Sequence, residues 1–593
     1  MRSEPRASVE ARGPLLRSSA RSVIYILLLT SVVLLLSTKG ITDEGVVSLQ
    51  PDSARHLMNG VFLYDLIRNL PLSHPVDYAY KYYARYPSLS IGHHSPLLGL
   101  AEVPFYAIFG ISVFSARLAI VFFMLLAGIA WFLLARVAYD DTIAFFSSLL
   151  LITAPFVASF SRVVMSEVPT LALLILASYF FYQYCLRDER RYAYAFAISL
   201  VLSIYARQQT IFTIPIFLCY FLFTKGVRRL ISREVLISCL IAALLLLPLV
   251  PMTLKLSQTN VRMVVTGDIS SRLEPQVLLY FVRAIWNSLL THPVLFLALT
   301  GISLSLYRKD KRVTLFLLWV VGYYLMLTFA RVLSPRYGIY LIPPFCLLAA
   351  VTLDAFHRRL WRVLISMLVI VTAAYQFVFA FGLEPTRAGG YEEAAKYVLE
   401  HRKGETVLYC SNVDAGYFIF FVRKHSVRPD LIVLRADKLL VCPSVKGIVE
   451  ERIGSREEIY DILRDLGTGY VVIEDTELRP RPSQSGAGGV KSSGLSVRER
   501  ILSRPKSGDL QGVTVVMKET IPRPLQWLRE EVDSDKFILR EKIPIRSNSN
   551  ELQNGALAIY EYKGHTPPDH EKTLRMNLHP MGDSLTVRLD DLL

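Results

Sequence analysis

The stretch Asp52-Ser53-Ala54-Arg55-His56 places a carboxylate three residues before a guanidinium, just ahead of an amphipathic run, Leu57–Leu70. If that run is helical, both side chains lie on one face at its N-terminal end. A carboxylate there can take the proton of an attacking hydroxyl or amine. A guanidinium beside it can hold a phosphate bidentately. The plainer alternative is that Asp52 only caps a helix. Six other places carry similar chemistry. Asp43-Glu44 is a second acidic pair and a rival base, and His93-His94 lies further along the same polar stretch. Ser161-Arg162 and Glu167-Val168-Pro169 put an arginine and a carboxylate at a helix junction, where the alternative is that they mark helix ends. Arg331, Arg336 and Tyr337 precede a late apolar block and read either as anion ligands or as interfacial anchors. Arg117, just inside another block, either snorkels or faces a polar cavity; the cavity is the preferred reading. Arg207-Gln208-Gln209 forms a further polar junction.

The elements that carry these residues are set by hydrophobicity. The chain has 593 residues, of which 52% are hydrophobic and 19% charged, and its mean hydropathy is +0.38. Residues 22–382 repeat apolar blocks of the length that crosses about 30 Å of hydrocarbon. The expected spans are 22–37, 114–136, 141–160, 168–186, 192–206, 208–224, 234–252, 288–306, 313–330, 337–355 and 361–382, about eleven transmembrane helices. The blocks are continuous rather than alternating, which excludes a porin-like barrel. The formal charge of +15 resides largely in short loops between blocks, which favours a membrane partner over nucleic acid.

Loop charge fixes a register. Arg136, Arg187, Arg190, Arg191, Lys225, Arg228, Arg229, Arg308, Lys309, Lys311, Arg312 and Arg358 all fall on one side when residues 96–110 do not cross. By the positive-inside rule that side is cytoplasmic, with residues 1–21 a cytoplasmic segment and Ser22–Ser37 an uncleaved anchor. Residues 39–113 then form a long first outer loop, and 161–167, Arg207, 253–287 and 331–336 also face outward. The candidate residues therefore sit at the outer ends of the spans. A transporter would instead place charges near the midplane, in related halves. The expected address is a multi-pass plasma or inner membrane protein.

Residues 383–593 hold no spanning block and read as an extracytoplasmic α/β domain. Helices are expected at Tyr391–Arg402 and Glu457–Leu466, and buried strands at Thr406–Cys410, Leu431–Leu434, Tyr470–Ile473 and Ala556–Tyr562. Residues 480–495 are Pro/Gly/Ser-rich and read as a flexible loop; their glycines do not fit a phosphate-binding pattern. Of the six cysteines, Cys410 and Cys442 are the pair able to bridge in an oxidising compartment. No zinc-type spacing is present; no cofactor is required, and a divalent metal remains an option.

In this setting the residues resemble the GT-C superfamily of membrane glycosyltransferases, in particular the group of protein O-mannosyltransferases and the aminoarabinose transferase of lipid A. The family's D-E-x-R-Y is matched by Asp52-Ser53-Ala54-Arg55-His56, with Ser53 for the second acid and His56 for the aromatic. Its H-P-P-L is matched by His94-Ser95-Pro96-Leu97, and its G-x5-A-R-L by Gly110 through Ala116-Arg117-Leu118. Its R-x4-D-x-P is matched by Arg162 through Glu167-Val168-Pro169, with Glu for Asp, and its R-Y by Arg336-Tyr337. The resemblance spans roughly residues 20–382. It implies an inverting transfer of a hexose or pentose from a polyprenyl-phosphate donor to a lipid, glycan or protein acceptor at the outer face. Asp52 would be the base, with Glu167 assisting and Asp43 or Glu44 as alternatives. Arg55, His94, Arg117, Arg336 and Tyr337 would hold the donor phosphate. A polysaccharide polymerase or ligase and a secondary transporter are the competing functions.

Overall fold

The structure is a computed structural model. It describes residues 20–42, 51–90, 94–256, 274–329, 333–354, 359–411, 416–426, 431–443, 449–476, 521–548, 554–569, 571–578 and 583–592. The acidic pair Asp43-Glu44, His93, Arg331 and the segment 480–495 lie outside these residues.

The first two thirds are helical. α1 (Ala20–Ser37) is followed by three helices in the segment before the next long apolar helix: α2 (Pro51–Asn69), α3 (Pro75–Arg85) and α4 (Leu97–Phe109). Then come α5 (Val113–Ala138), α6 (Asp141–Thr153), α7 (Pro155–Phe160), α8 (Glu167–Arg187), α9 (Arg190–Ala206), α10 (Ile214–Lys225), α11 (Arg233–Leu246) and α12 (Leu249–Leu256). α13 (His292–Tyr307), α14 (Thr314–Phe329), α15 (Ile342–Ala350) and α16 (Arg359–Gly382) complete this part. Among the described residues, six helical stretches are long and apolar enough to cross a membrane: α1, α5, α8, Lys311–Phe329, Pro335–Leu353 and Leu360–Gly382. The chain is thus a polytopic helical membrane protein. The helices begin where their sequences cap them. Ser112 accepts the Ser115 N–H ahead of α5, and Asp140 accepts from Thr142 and Ile143 ahead of α6. Pro155 separates α6 from α7, dividing the expected span 141–160 into two helices.

Pro335–Leu353 and α8 are largely enclosed by the other helices, whereas α1 and α16 lie at the edge. Polar side chains cross-link the interior. Thr153 donates to the Gln376 side-chain oxygen (3.0 Å), and the Gln376 amide donates to Thr291 (3.0 Å). Such bonds join α6, α16 and the start of α13 where hydrocarbon offers no other partner.

The tail is built on a five-stranded mixed sheet. β1 (Thr406–Cys410) lies between β2 (Ile432–Arg435) and β3 (Thr468–Asp475), parallel to both. β4 (Phe537–Pro544) and β5 (Ala556–Tyr562) extend it antiparallel, giving the order β2-β1-β3-β5-β4. α17 (Tyr391–Glu400), α18 (Gly416–His425), α19 (Ala436–Leu439), α20 (Glu457–Asp465) and α21 (Arg523–Glu531) accompany it. The hairpin of β6 (Thr573–Leu578) and β7 (Asp583–Arg588) forms a separate pair. Unbroken apolar strands such as Val407-Leu408-Tyr409 suit a sheet covered on both faces. Cys410 ends β1 as a buried free thiol; the side chain of Cys442, its possible partner, lies outside the described side chains.

The tail is fastened to the segment that carries α2 and α3. Arg423 of α18 grips Asp65 of α2 through two nitrogens, at 2.6 and 2.8 Å, and Tyr82 of α3 donates to the same carboxylate at 2.7 Å. Arg435 at the end of β2 donates to the Pro87 carbonyl (3.2 Å), and Lys438 of α19 donates to the Tyr83 hydroxyl.

Candidate active site

Asp52 sits in the first turn of α2, directly after Pro51, not at the cap that precedes the helix. Proline suits the first helical position, and an acid in that turn complements the helix dipole. Its carboxylate meets two guanidiniums and an imidazole. Arg336 approaches one oxygen at 2.8 Å, His94 Nε2 approaches the other at 3.3 Å, and Arg55, one turn on, lies at 3.8 Å. Burial alone would raise the Asp52 pKa. The hydrogen bonds and charges of His94 and Arg336 outweigh it and hold the carboxyl well below the usual range. His56, buried behind the site, stacks on His94 with ring centroids 4.6 Å apart. Burial, then the neighbouring His94, pushes the His56 pKa well down, so this ring is neutral.

Arg336 ties the second carboxylate to the first. It lies on the tight turn Pro335–Leu341, and its Nε is 3.9 Å from Glu167. The turn packs closely: a Cβ on Gly338 would meet the end of the Leu289 side chain at 2.4 Å and force it to shift. Glu167 opens α8 with no solvent exposure. Arg207, at the end of α9, reaches it at 2.7 Å, and its second oxygen has no hydrogen-bond partner among the described residues. The Tyr337 ring sits under both guanidiniums, 4.6 Å from Arg207 and 5.0 Å from Arg336, and its hydroxyl accepts from Arg336 at 3.0 Å. Asp52, Arg55, His94, Glu167, Arg336 and Tyr337 thus converge from four separated stretches. Three guanidiniums face two carboxylates, an excess of positive charge suited to an anion.

Two arginines do other work. Arg117 donates to the carbonyls of Gly40 (3.1 Å) and Ile41 (3.2 Å) just beyond α1, rather than joining the Asp52 cluster. Arg162 donates to Leu36 (2.6 Å) and Leu383 (2.7 Å), binding the ends of α1 and α16 together. Both satisfy carbonyls that helix ends leave without partners. Arg207 is the member that sequence reading leaves without a role. Its signal was a lone cation at the outer end of an apolar helix, opposite a carboxylate at the start of the previous one. Among the described residues, no group of three acidic, His or Cys side chains is arranged to hold a metal ion.

Residues 93–253 match the family described as dolichyl-phosphate-mannose-protein mannosyltransferase. That segment carries His94, Arg117, Glu167 and Arg207. No curated protein matches the chain by sequence. Among solved structures, the chain superposes on ArnT from Cupriavidus metallidurans bound to undecaprenyl phosphate. There the TM-score is 0.51 at 14% identity, covering 77% of this chain and 93% of that one. It also superposes on the Archaeoglobus fulgidus oligosaccharyltransferase in its apo form, with a TM-score of 0.50 at 13% identity, covering 76% and 69%. At these identities the likeness is one of fold. In that fold, and in the family pattern over residues 93–253, the chain is similar to the GT-C membrane glycosyltransferases.

Proposed function

We propose that the chain transfers a sugar from a polyprenyl-phosphate donor to an acceptor lipid, glycan or protein at the extracytoplasmic face, inverting the anomeric carbon, with Asp52 as base. In this reading the membrane is crossed eleven times and the tail lies outside. The observation that carries it is the position of Arg336 between Asp52 and Glu167. A carboxylate paired this tightly is a weak base, since proton transfer is most efficient when the pKa lies near the working pH. An arriving phosphate supplies the competing anion. It draws Arg336 and Arg55 toward itself, and Asp52, losing its partners, becomes basic enough to accept a proton.

The step then balances. The acceptor oxygen or nitrogen attacks the anomeric carbon and passes its proton to Asp52. The carbon–oxygen bond to phosphate breaks on the opposite side, and the polyprenyl phosphate leaves with the electron pair. Arg336, Arg55 and His94 neutralise the charge that develops there, in a site where water is scarce. Glu167, locked by Arg207, keeps Arg336 aimed, and its open oxygen can accept a hydrogen bond from the acceptor. The undecaprenyl phosphate of the ArnT structure supports a lipid-phosphate donor. The family's description supports mannose as the first donor sugar to assay.

The test uses purified protein and a labelled polyprenyl-phosphate sugar. Wild-type protein is expected to release the sugar to acceptor or water. Asp52→Asn, which keeps the shape, is expected to bind donor and lose about 10²–10⁴-fold in rate, the usual worth of a positioned base. Full activity in Asp52→Asn would remove Asp52 from the role. An intact sugar moved across the bilayer would instead indicate a transporter.

A further inference from the structure

The transfer site occupies one end of the helical domain. A second polar cluster, with a cavity of about 240 Å³, occupies the other. Arg336 opens the segment Pro335–Leu353 and Asp354 follows its last residue. At about 1.5 Å per residue in the α-helical middle and about 2 Å in the tighter turns at either end, these ends are roughly 30 Å apart, close to the thickness of a hydrocarbon core. The cavity is lined by Ser305 and Arg308 at the end of α13, by Asp310 and Arg312 in the turn before α14, and by Asp354. Arg312 is held between the two acids, with Nη2 at 2.9 Å from Asp310 and 2.8 Å from Asp354. Arg308 donates to the Asp354 carbonyl at 2.9 Å. The Ser305 hydroxyl is buried and has no hydrogen-bond partner among the described residues. Beside it Leu306 and Tyr307 are exposed, on a helix that is otherwise apolar.

We propose that this cavity holds the phosphoethanolamine headgroup of a membrane phospholipid. The charge balance selects the ligand. Two guanidiniums and two carboxylates line the walls, so a bare phosphate meets two acids and a bare ammonium meets two arginines. A headgroup carrying both signs satisfies each in turn, its phosphodiester toward Arg308 and the Ser305 hydroxyl, its ammonium toward Asp310 and Asp354. A primary ammonium is favoured over choline. Recognition of a quaternary ammonium relies on open aromatic faces enclosing it; here Tyr139 is covered by Arg312 at 4.2 Å and donates to Asp310 at 3.3 Å, and Tyr307 is exposed and not part of the cavity lining. The placement of the cavity at a helix end, next to exposed Leu306 and Tyr307, leaves the acyl chains beside the apolar helix surface.

The experiment is native mass spectrometry of the full chain in detergent, given equal amounts of phosphatidylethanolamine, phosphatidylcholine and phosphatidylglycerol of one acyl composition. Phosphatidylethanolamine is expected to be retained about tenfold over the other two, the weight of one charge-assisted contact. Ser305→Leu, which removes the hydroxyl and puts an apolar side chain into the cavity while leaving all four charges, is expected to abolish the preference. Arg308→Gln is expected to weaken it, and both variants should keep the wild-type unfolding temperature. Equal retention of the three lipids, or a preference untouched in Ser305→Leu, overturns the site. Displacement of the lipid by millimolar O-phosphoethanolamine supports the headgroup chemistry. Binding of that soluble compound without any lipid preference overturns the lipid assignment.

Discussion

Asp52 illustrates how a side chain can be correct in kind and unready in state. Its partners hold it ionised far below ordinary carboxylate pKa values. A group whose pKa is depressed stays deprotonated at every pH above that value. The acid limb of kcat/KM, which reports the free enzyme, should therefore not contain Asp52 within the working range. The limb of kcat reports the donor-bound enzyme, where Arg336 has turned to phosphate, and it should move to higher pH than any limb in kcat/KM. Coincident limbs in the two profiles would refute the proposed exchange of partners. Arg336 carries a second prediction. Arg336→Lys keeps the charge and loses the fork that spans Asp52 and Glu167. Donor KM should rise about tenfold, the worth of one lost charge-assisted bond, with a further fall in kcat. An unchanged KM would place Arg336 away from the donor.

At the scale of elements, α2 matters because it carries Asp52 at one end and the tail's anchor at the other. The Asp65–Arg423 pair is nearly closed to solvent, with side chains 5% and 12% exposed. Removing one partner leaves a buried charge unpaired. Arg423→Met should therefore cost about 3–5 kcal/mol in thermal unfolding, and Asp65→Asn combined with Arg423→Met should cost less than Arg423→Met alone. Additive losses would mean that the two groups do not interact. Much of this architecture was legible in the sequence. α2 follows from the amphipathic run after Asp52, and β1 and β5 match the expected strands at Thr406–Cys410 and Ala556–Tyr562. Other elements were not. β4 is an edge strand whose middle residues are polar and exposed, so no alternation marks it. α18 is a short element whose first seven residues, Gly416–Val422, form an unbroken buried run, and periodicity alone cannot tell a buried helix from a buried strand at that length. In the site, acidic and basic residue types announced themselves, but pairing did not. Arg117 and Arg162 had the same sequence credentials as Arg336. Only the packing of α1 and α16 shows that they serve backbone carbonyls instead.

For the molecule as a whole, the placement of the site rests on the orientation of the chain. Single cysteines introduced at exposed positions of the tail, such as Arg546, should react with a membrane-impermeant maleimide in intact cells or spheroplasts. A cysteine at Lys309, in the basic turn before α14, should react only after permeabilisation. The opposite pattern would turn the Asp52 cluster toward the cytosol and rule out the transfer proposed for the outer face.

Arg162 joins two backbones at once. Its guanidinium is shared by Leu36, at the exit of α1, and Leu383, where the chain passes from α16 into the tail. With Arg423 gripping α2 from the far side, the α/β unit is moored at two distant points and cannot swing like a door. If the chain performs the transfer proposed above, turnover should be paced by rearrangement of shorter segments rather than by hinging of the unit as a rigid body.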